Sequence, residues 1–173
     1  MDDKNYFEIF DIPVDIEIDK KQLTQSYYAL TMKYHPDRFM LKDQDAQRLA
    51  IENTSKINDA YKILKDDQLR LKYVLTLAGV EFVEGKETVP QEFLMEMMDF
   101  NEGIMEYKMD PNEEAKNSLV KKLTEIENKL LLDISPFFTK FKIEPNNETG
   151  LILLKNYYLK NQYLRNIKNN LNG

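Results

Sequence analysis

The sequence contains no cysteine and no tryptophan, and its 173 residues include only five glycines, six prolines and one histidine. Without cysteine the chain has no disulfide, no thiolate nucleophile and no sulfur ligand for zinc or an iron–sulfur cluster. Few glycines and prolines, with many leucines, lysines and glutamates, disfavour the turn-rich chain of an all-β protein. We therefore expect an all-α protein with no cofactor and no metal site.

Long apolar runs and excess positive charge are also missing. No apolar run approaches the roughly 20 residues that a membrane span requires. The acidic residues 1–5 resemble neither a signal peptide nor an arginine-rich transit peptide. A formal net charge of -6 repels the phosphate backbone of nucleic acids on average. We expect a cytoplasmic protein in a bacterial setting, with neither a membrane nor a nucleic acid as principal partner.

Helical spacing of apolar residues predicts four helices in the first 79 residues. A short aromatic turn covers residues 6–10, and a helix over 20–34 follows a capping aspartate. Apolar positions at 49–64 predict a third helix, antiparallel to the second. A short helix begins after Asp66 and stops at Gly79, a residue suited to a left-handed cap. Residues 1–79 are thus predicted as one domain.

The rest of the chain predicts a three-helix bundle over residues 90–173, after a linker at 80–89. Residues 88–109 are predicted as one helix. Residues 110–113 suit the start of the next helix, with Asp110 as its cap. Pro136 is predicted to kink or break that helix. After a turn at 144–147, the last helix is predicted over 151–171.

The single histidine opens the tripeptide His35-Pro36-Asp37, between the second and third predicted helices. Pro36 cannot continue the preceding helix, because it lacks an N–H and its ring clashes with the carbonyl four residues back. The ring nitrogens of His35 can form hydrogen bonds, and the Asp37 carboxylate can accept a bidentate arginine. Without context, an ordinary loop with Asp37 capping a turn is the favoured explanation of these residues.

The surrounding segments resemble a J domain over roughly residues 4–77. The resemblance rests on residues 5–10, 34–38 and 57–64, and on Arg70 with Tyr73, in that order. It implies that the tripeptide binds a DnaK-type ATPase chaperone and promotes its ATP hydrolysis, so that the chain itself is not an enzyme. The residues expected at this chaperone interface are Tyr28, Lys33, His35, Pro36, Asp37 and Arg38.

One feature departs from the family. Many J domains have a dense basic face on the helix before the tripeptide, whereas the helix over 20–34 mixes lysines with neutral residues. Electrostatic steering should therefore be weaker, and Tyr28 can supply contact area instead. This pattern favours a specialised chaperone over a general one.

A J domain followed directly by a three-helix bundle, with no Gly/Phe-rich segment and no zinc module, is similar to the HscB family of iron–sulfur co-chaperones. The resemblance covers nearly the whole chain and includes residues 93–96. It implies two partners, a DnaK-type (HscA-like) ATPase chaperone and an iron–sulfur scaffold protein (IscU-like). The residues expected to face the scaffold protein are Leu94, Met95, Met98, Asp99, Glu102, Glu106 and Tyr158.

The first bundle helix carries two apolar stripes rather than one. The first contains Phe93, Met97, Phe100 and Ile104. The second contains Leu94, Met95, Met98 and Met105. One hypothesis buries the first stripe and leaves the second as a partner surface rimmed by acidic residues. The other buries both stripes, with the J domain covering the second. The residues alone leave both open, and the HscB resemblance favours the exposed surface.

Other functions fit parts of the sequence. A J protein of this build could serve a different client. An enzyme using His35 for acid–base or metal chemistry would have no second histidine and no cysteine. The last helix is basic and tyrosine-rich, as in some nucleic-acid-binding proteins. Attraction to the acidic first bundle helix explains that charge more simply.

Overall fold

The computed structural model describes residues 4–83, 85–145 and 147–172. In these ranges the chain forms helices and no strand, which confirms the predicted all-α class. It divides into two compact units, Met1–Val74 and Leu75–Gly173. None of the described helices is long and apolar enough to cross a membrane.

The first unit is built on a helical hairpin. Its elements are α1 (Tyr6–Ile9), α2 (Lys20–Tyr34), a 3-10 helix (Pro36–Phe39), α3 (Gln44–Lys65) and the start of α4 (Asp67–Leu77). The Asp19 side chain caps α2 by accepting the N–H groups of Lys21 and Gln22. Asp43 caps α3 in the same way. The bounds of α2 agree with the predicted helix over 20–34.

The contact face of α3 differs from the predicted stripe by one residue. Leu49, predicted as an apolar position, is exposed, whereas Ala50 is buried. The Thr54 hydroxyl donates to the carbonyl of Tyr34 at 2.9 Å, which places the Ala50–Thr54 side of α3 against the end of α2. Small side chains at Ala50 and Ala60 permit this approach.

Arg70 is the one charged or polar residue among those found buried, with 4% of its surface exposed. Its Nε donates to the carbonyl of Ile16 at 2.8 Å and its Nη1 to that of Leu64 at 2.6 Å. Its Nη2 binds the carboxylate of Asp67. The guanidinium therefore joins the segment before α2, the end of α3 and the start of α4.

Asp67 lies between two cations. Burial raises the pKa of its carboxyl group, but hydrogen bonds and charges from Lys20 and Arg70 outweigh burial and hold the pKa below its ordinary value. The Lys20 ammonium is 2.8 Å away. Ionised Asp67 therefore stabilises the folded unit, and this contribution is lost as the pH falls through the lowered pKa.

The second unit contains four helices, α5 (Gln91–Glu96), α6 (Met98–Met109), α7 (Glu113–Ile143) and α8 (Glu148–Asn172). Together α5 and α6 form the first arm of the predicted three-helix bundle. One core cluster joins all three arms, and its buried residues are Phe93, Met97, Phe100, Leu119, Leu123, Leu164, Ile167 and Leu171.

The prediction of one helix over residues 88–109 is wrong at two points. Pro90 is extended, with ψ of 132°, so the helix begins only at Gln91. At Met97 ψ is 0°, and its N–H points at the carbonyls of both Phe93 and Met95. This tightened turn separates α5 from α6.

The prediction for the start of α7 is wrong, and of the two effects predicted for Pro136, a kink or a break, the break does not occur. The cap of α7 is Asn112, whose Oδ1 accepts the N–H of Ala115 at 2.8 Å, whereas Asp110 closes α6. The helix also continues through Pro136. Proline removes the N–H that would bind the carbonyl of Leu132. The Ser135 hydroxyl donates to that carbonyl at 3.0 Å instead, so the backbone acceptor stays satisfied.

The last residues of α4 and the segment 80–89 belong to the second unit. Gly79 has φ of +86°, as its predicted role as a cap requires. In the segment predicted as a linker, the described residues 80–83 and 85–89 form no helix but are attached to α8. Lys155 of α8 donates to the Glu81 carbonyl at 2.9 Å and pairs with Glu87 at 3.0 Å. The ring of Phe82 meets that of Tyr158 edge-on at 5.3 Å.

Replacing Arg70 with methionine should lower the free energy of unfolding by about 3 kcal/mol, because two carbonyls and a partly buried carboxylate lose their donor. Urea denaturation followed by circular dichroism measures this. Arg48→Met is the matched control, since Arg48 is exposed and forms only surface ion pairs. Equal losses in the two variants would contradict the role given to Arg70.

Candidate functional site

The tripeptide lies at the turn between α2 and the 3-10 helix. Helix α2 ends at Tyr34, and His35 adopts φ of -56° and ψ of 127°. Pro36 then opens the 3-10 helix, where the absence of its N–H costs no hydrogen bond. The N–H of Arg38 donates to the His35 carbonyl at 3.0 Å. Backbone geometry thus turns the chain sharply and leaves the His35 and Asp37 side chains on the outside.

His35 and Asp37 contact each other while remaining accessible. The Asp37 N–H donates to Nδ1 of His35 at 3.3 Å, which assigns the proton of the neutral ring to Nε2. Nδ1 is also 3.5 Å from Oδ2 of Asp37, a contact that becomes an ion pair only when the ring is protonated. The side chains are 50% and 77% exposed. A partner can therefore reach both the Nε2–H donor and the carboxylate.

Arg38 folds back onto α2. Its Nη1 donates to the carbonyl of Met32 at 3.3 Å, in the last turn of the helix, where carbonyls lack helical partners. The nearby Lys33 ammonium lies 5.2 Å from the centre of the Tyr34 ring. The side chains of Arg38 and Lys33 therefore both have contacts at the end of α2.

Tyr28 lies in α2, seven residues or about two helical turns before His35. Its side chain is largely exposed, and its ring centre is 5.6 Å from that of Tyr27. Tyr27 in turn stacks on Tyr61 of α3 at 4.0 Å. This aromatic support gives Tyr28 a defined position at the surface.

The loop after the tripeptide is held by a residue that sequence reasoning missed. Gln47 of α3 donates through Nε2 to the carbonyls of Met40 and Lys42, at 3.2 and 2.9 Å. Thr54 similarly holds the carbonyl of Tyr34. A polar side chain that binds a backbone carbonyl several residues away leaves no periodic signal, so only the folded arrangement reveals these supports.

A second exposed surface lies on α5 and α6. We call it the α5–α6 face, and it consists of Leu94, Met95, Met98, Asp99, Glu102, Met105, Glu106 and Met109. All eight side chains are exposed. Along α6, the residues at 98, 102, 105, 106 and 109 share one side of the helix. The face therefore combines apolar side chains with carboxylates.

The two apolar stripes have different environments. Phe93, Met97 and Phe100 of the first stripe are buried. In the second stripe, Met98 is 57% exposed, whereas Met97 beside it is 1% exposed. Within the second unit, the first stripe is therefore core and the second is not.

A polar pair fixes the orientation of α6. The Asn101 Nδ2 group donates to the Tyr163 hydroxyl of α8 at 2.8 Å, and that hydroxyl donates back to Oδ1 at 3.1 Å. The Tyr163 ring also meets Phe93 edge-on at 5.9 Å. With Asn101 turned toward α8, the residues on the other side of α6 face outward. Spacing alone did not single out either partner of this pair.

Tyr158 does not belong to the exposed surface. It is 7% exposed, packs against Phe82, and accepts a hydrogen bond from Gln162 at 3.1 Å. This burial contradicts the prediction that Tyr158 faces a scaffold protein. The helical spacing of α8 places Tyr158 one turn from Leu154, which is also core.

Two lysines of α8 pair with carboxylates that lie outside the acidic first bundle helix. Lys168 pairs with Glu127 of α7 at 3.1 Å, and Lys155 pairs with Glu87. These two lysines therefore do not provide the expected attraction between α8 and the first bundle helix. In the part of the chain that the structure describes, no three histidine, aspartate or glutamate side chains are grouped so that they could hold a metal ion.

Comparison with known proteins finds matches to both units. The chain matches the DnaJ domain model over residues 5–73. It matches the model of the HSCB C-terminal oligomerisation domain over residues 89–172.

Individual relatives match across both units. The co-chaperone protein HscB homolog of Psychromonas ingrahamii is 30% identical over 145 residues, covering 83% of this chain and 81% of that protein. The HscB homolog of Haemophilus influenzae is 35% identical over 129 residues, covering 73% and 74%. The solved structure of chaperone HscB from Vibrio cholerae has a TM-score of 0.83 at 26% identity, covering 97% of this chain and 96% of that chain.

Met97 and Met98 allow a matched test of the α5–α6 face. Met97→Ala should lower the free energy of unfolding by about 2–5 kcal/mol, because it leaves a cavity in the core. Met98→Ala should lower it by less than about 1 kcal/mol, because the side chain is at the surface. Urea denaturation measures both. Similar losses would show that Met98 is buried in solution.

Proposed function

Because the chain belongs to the HscB family of co-chaperones, we propose that it stimulates ATP hydrolysis by a DnaK-type, HscA-like chaperone and delivers an IscU-like iron–sulfur scaffold protein to it. The observation that carries the proposal is the presence of two separate exposed surfaces, one in each compact unit. The tripeptide loop serves the chaperone, and the α5–α6 face serves the scaffold protein.

The chaperone contact uses the exposed groups of the tripeptide. The Asp37 carboxylate accepts a hydrogen-bonded arginine of the chaperone, and the Nε2–H of His35 donates to an acceptor there. Pro36 keeps the turn that presents both. Tyr28, Lys33 and Arg38 complete the interface. The chain thus changes the rate of a reaction that the chaperone catalyses, and has no catalytic group of its own in the proposal.

The scaffold contact uses the apolar side chains of the α5–α6 face. Leu94, Met95 and Met98 supply adaptable apolar area, since methionine follows the contour of a partner readily. Asp99, Glu102 and Glu106 form an acidic rim that suits a partner with basic residues around an apolar centre. We place this activity in the bacterial cytoplasm, because the relatives reported above are bacterial co-chaperones.

His35→Gln should reduce stimulation of the cognate chaperone at least tenfold, because glutamine lacks the ring that positions the Asp37 N–H and the Nε2–H donor. Steady-state ATPase rates of the chaperone, measured over a range of co-chaperone concentrations, check this. Scaffold binding by the same variant should be unchanged, because the α5–α6 face lies in the second unit, and an unchanged circular dichroism spectrum shows that the first unit is still folded. Stimulation equal to that of the unaltered chain would refute the role of the tripeptide.

Changing Leu94, Met95 and Met98 together to serine should weaken binding of the scaffold protein at least tenfold, about 1.4 kcal/mol. Isothermal titration calorimetry measures the Kd. Chaperone stimulation without the scaffold protein should not change. A matched control changes Leu131, Leu132 and Ile152 to serine, which are equally exposed apolar residues of α7 and α8.

Two results would contradict this assignment. If both triple variants weaken binding equally, the α5–α6 face is not the specific site. If the unaltered chain fails to bind the scaffold protein at micromolar concentration while stimulating the chaperone, the protein serves a different client.

A further inference from the structure

The methionines of the second unit are concentrated at one surface. Met95, Met98, Met105 and Met109 are 64%, 57%, 66% and 87% exposed. Methionine is a residue type that folded proteins usually bury. The exception in this segment is Met97, which lies in the core. Four accessible thioethers within 15 residues thus form most of the apolar part of the α5–α6 face.

Exposure makes these thioethers accessible to oxidants, as it does those of Met32 and Met40 in the first unit. The sequence has no cysteine to react before them. A peroxide oxidises methionine at a rate that follows access to sulfur. The sulfur attacks one peroxide oxygen and the O–O bond breaks. The sulfur loses two electrons and gains a bond to oxygen. The transferred oxygen gives up its proton, and the departing hydroxide takes up one proton and leaves as water.

Oxidation would change the character of the face. A sulfoxide is polar and chiral, whereas the thioether is apolar and flexible. On α6 the residues at 98, 105 and 109 share a side with Glu102 and Glu106, so their oxidation would leave that side polar along its whole length. A surface without an apolar centre no longer matches an apolar partner.

We propose that the α5–α6 face is a methionine oxidation site, at which peroxide converts Met95, Met98, Met105 and Met109 to sulfoxides and thereby weakens client binding. The inference rests on the proposed function, in which the client is the scaffold protein. Methionine sulfoxide reductases can restore the thioethers, so the change is reversible. Delivery of the client would then fall under oxidising conditions and recover afterwards.

The positions of oxidation are tested first. The full-length chain is treated with dilute hydrogen peroxide, and peptide mass spectrometry measures oxidation at each methionine over time. The four exposed residues should oxidise at least tenfold faster than Met97, the buried internal control. Equal rates at Met97 and Met98 would overturn the inference, because access would then not select the face.

The effect on binding is tested in a chain that carries Met32→Leu and Met40→Leu. These two methionines are exposed in the first unit, and replacing them confines oxidation by peroxide more closely to the second unit. Peroxide treatment should raise the Kd for the scaffold protein at least fivefold, and sulfoxide reductase should restore it. Circular dichroism before and after treatment checks that the helices remain.

A second variant supplies the control for specificity. Met95, Met98, Met105 and Met109 are changed to leucine in the same chain, and its Kd is compared only with its own value before treatment. That ratio should stay near one. A fivefold rise in this variant would show that oxidation acts elsewhere and overturn the inference.

The remaining outcomes separate the inference from the proposed function. If the untreated chain does not bind the scaffold protein, the proposed partner is wrong and the inference falls with it. If the untreated chain binds, and binds equally well with all four residues oxidised, the inference alone is overturned.

Discussion

The first unit depends on one buried guanidinium. Arg70 satisfies the carbonyls of Ile16 and Leu64 and the carboxylate of Asp67, which belong to three different segments. These segments meet at the end of the α2–α3 hairpin that is opposite to the tripeptide loop. By fixing where α2 begins and where α3 ends, Arg70 fixes the register of the hairpin. That register in turn places the side-chain donors of α3, Gln47 and Thr54, beside the backbone carbonyls of the tripeptide loop.

Features encoded in neighbouring residues were predictable from the sequence. A capping aspartate and a proline define α2 at both ends, and the left-handed glycine after α4 has the predicted conformation. The tripeptide could be located because Pro36 follows a helical pattern directly and has no N–H with which to continue it. The family resemblance inferred from these segments is confirmed by relatives that match across both units. Spacing alone also identified the two apolar stripes of the first bundle helix.

Features that depend on distant or compensating contacts were not predictable. Pro136 was expected to kink or break α7, but the helix does not break, because a hydroxyl one residue earlier replaces the lost hydrogen bond. Asp110 and Asn112 are both residue types that cap helices well. Only the folded backbone around Pro111 makes Asn112 the cap of α7. Tyr158 has the amphipathic character of a surface residue, yet Phe82, 76 positions earlier in the chain, covers it. When a helix has two apolar stripes, the local sequence pattern does not show which of them the bundle leaves exposed.

The attachment of segment 80–89 to α8 has a consequence for dissecting the protein. Judged by sequence, the segment is a spacer that can be removed when the second domain is isolated. In the folded unit its described residues act as part of the packing, since Phe82 covers the Tyr158 ring and Glu87 pairs with Lys155. A fragment starting at residue 90 would expose an aromatic ring and separate an ion pair. The fragment that preserves these contacts begins at residue 75, inside a helix.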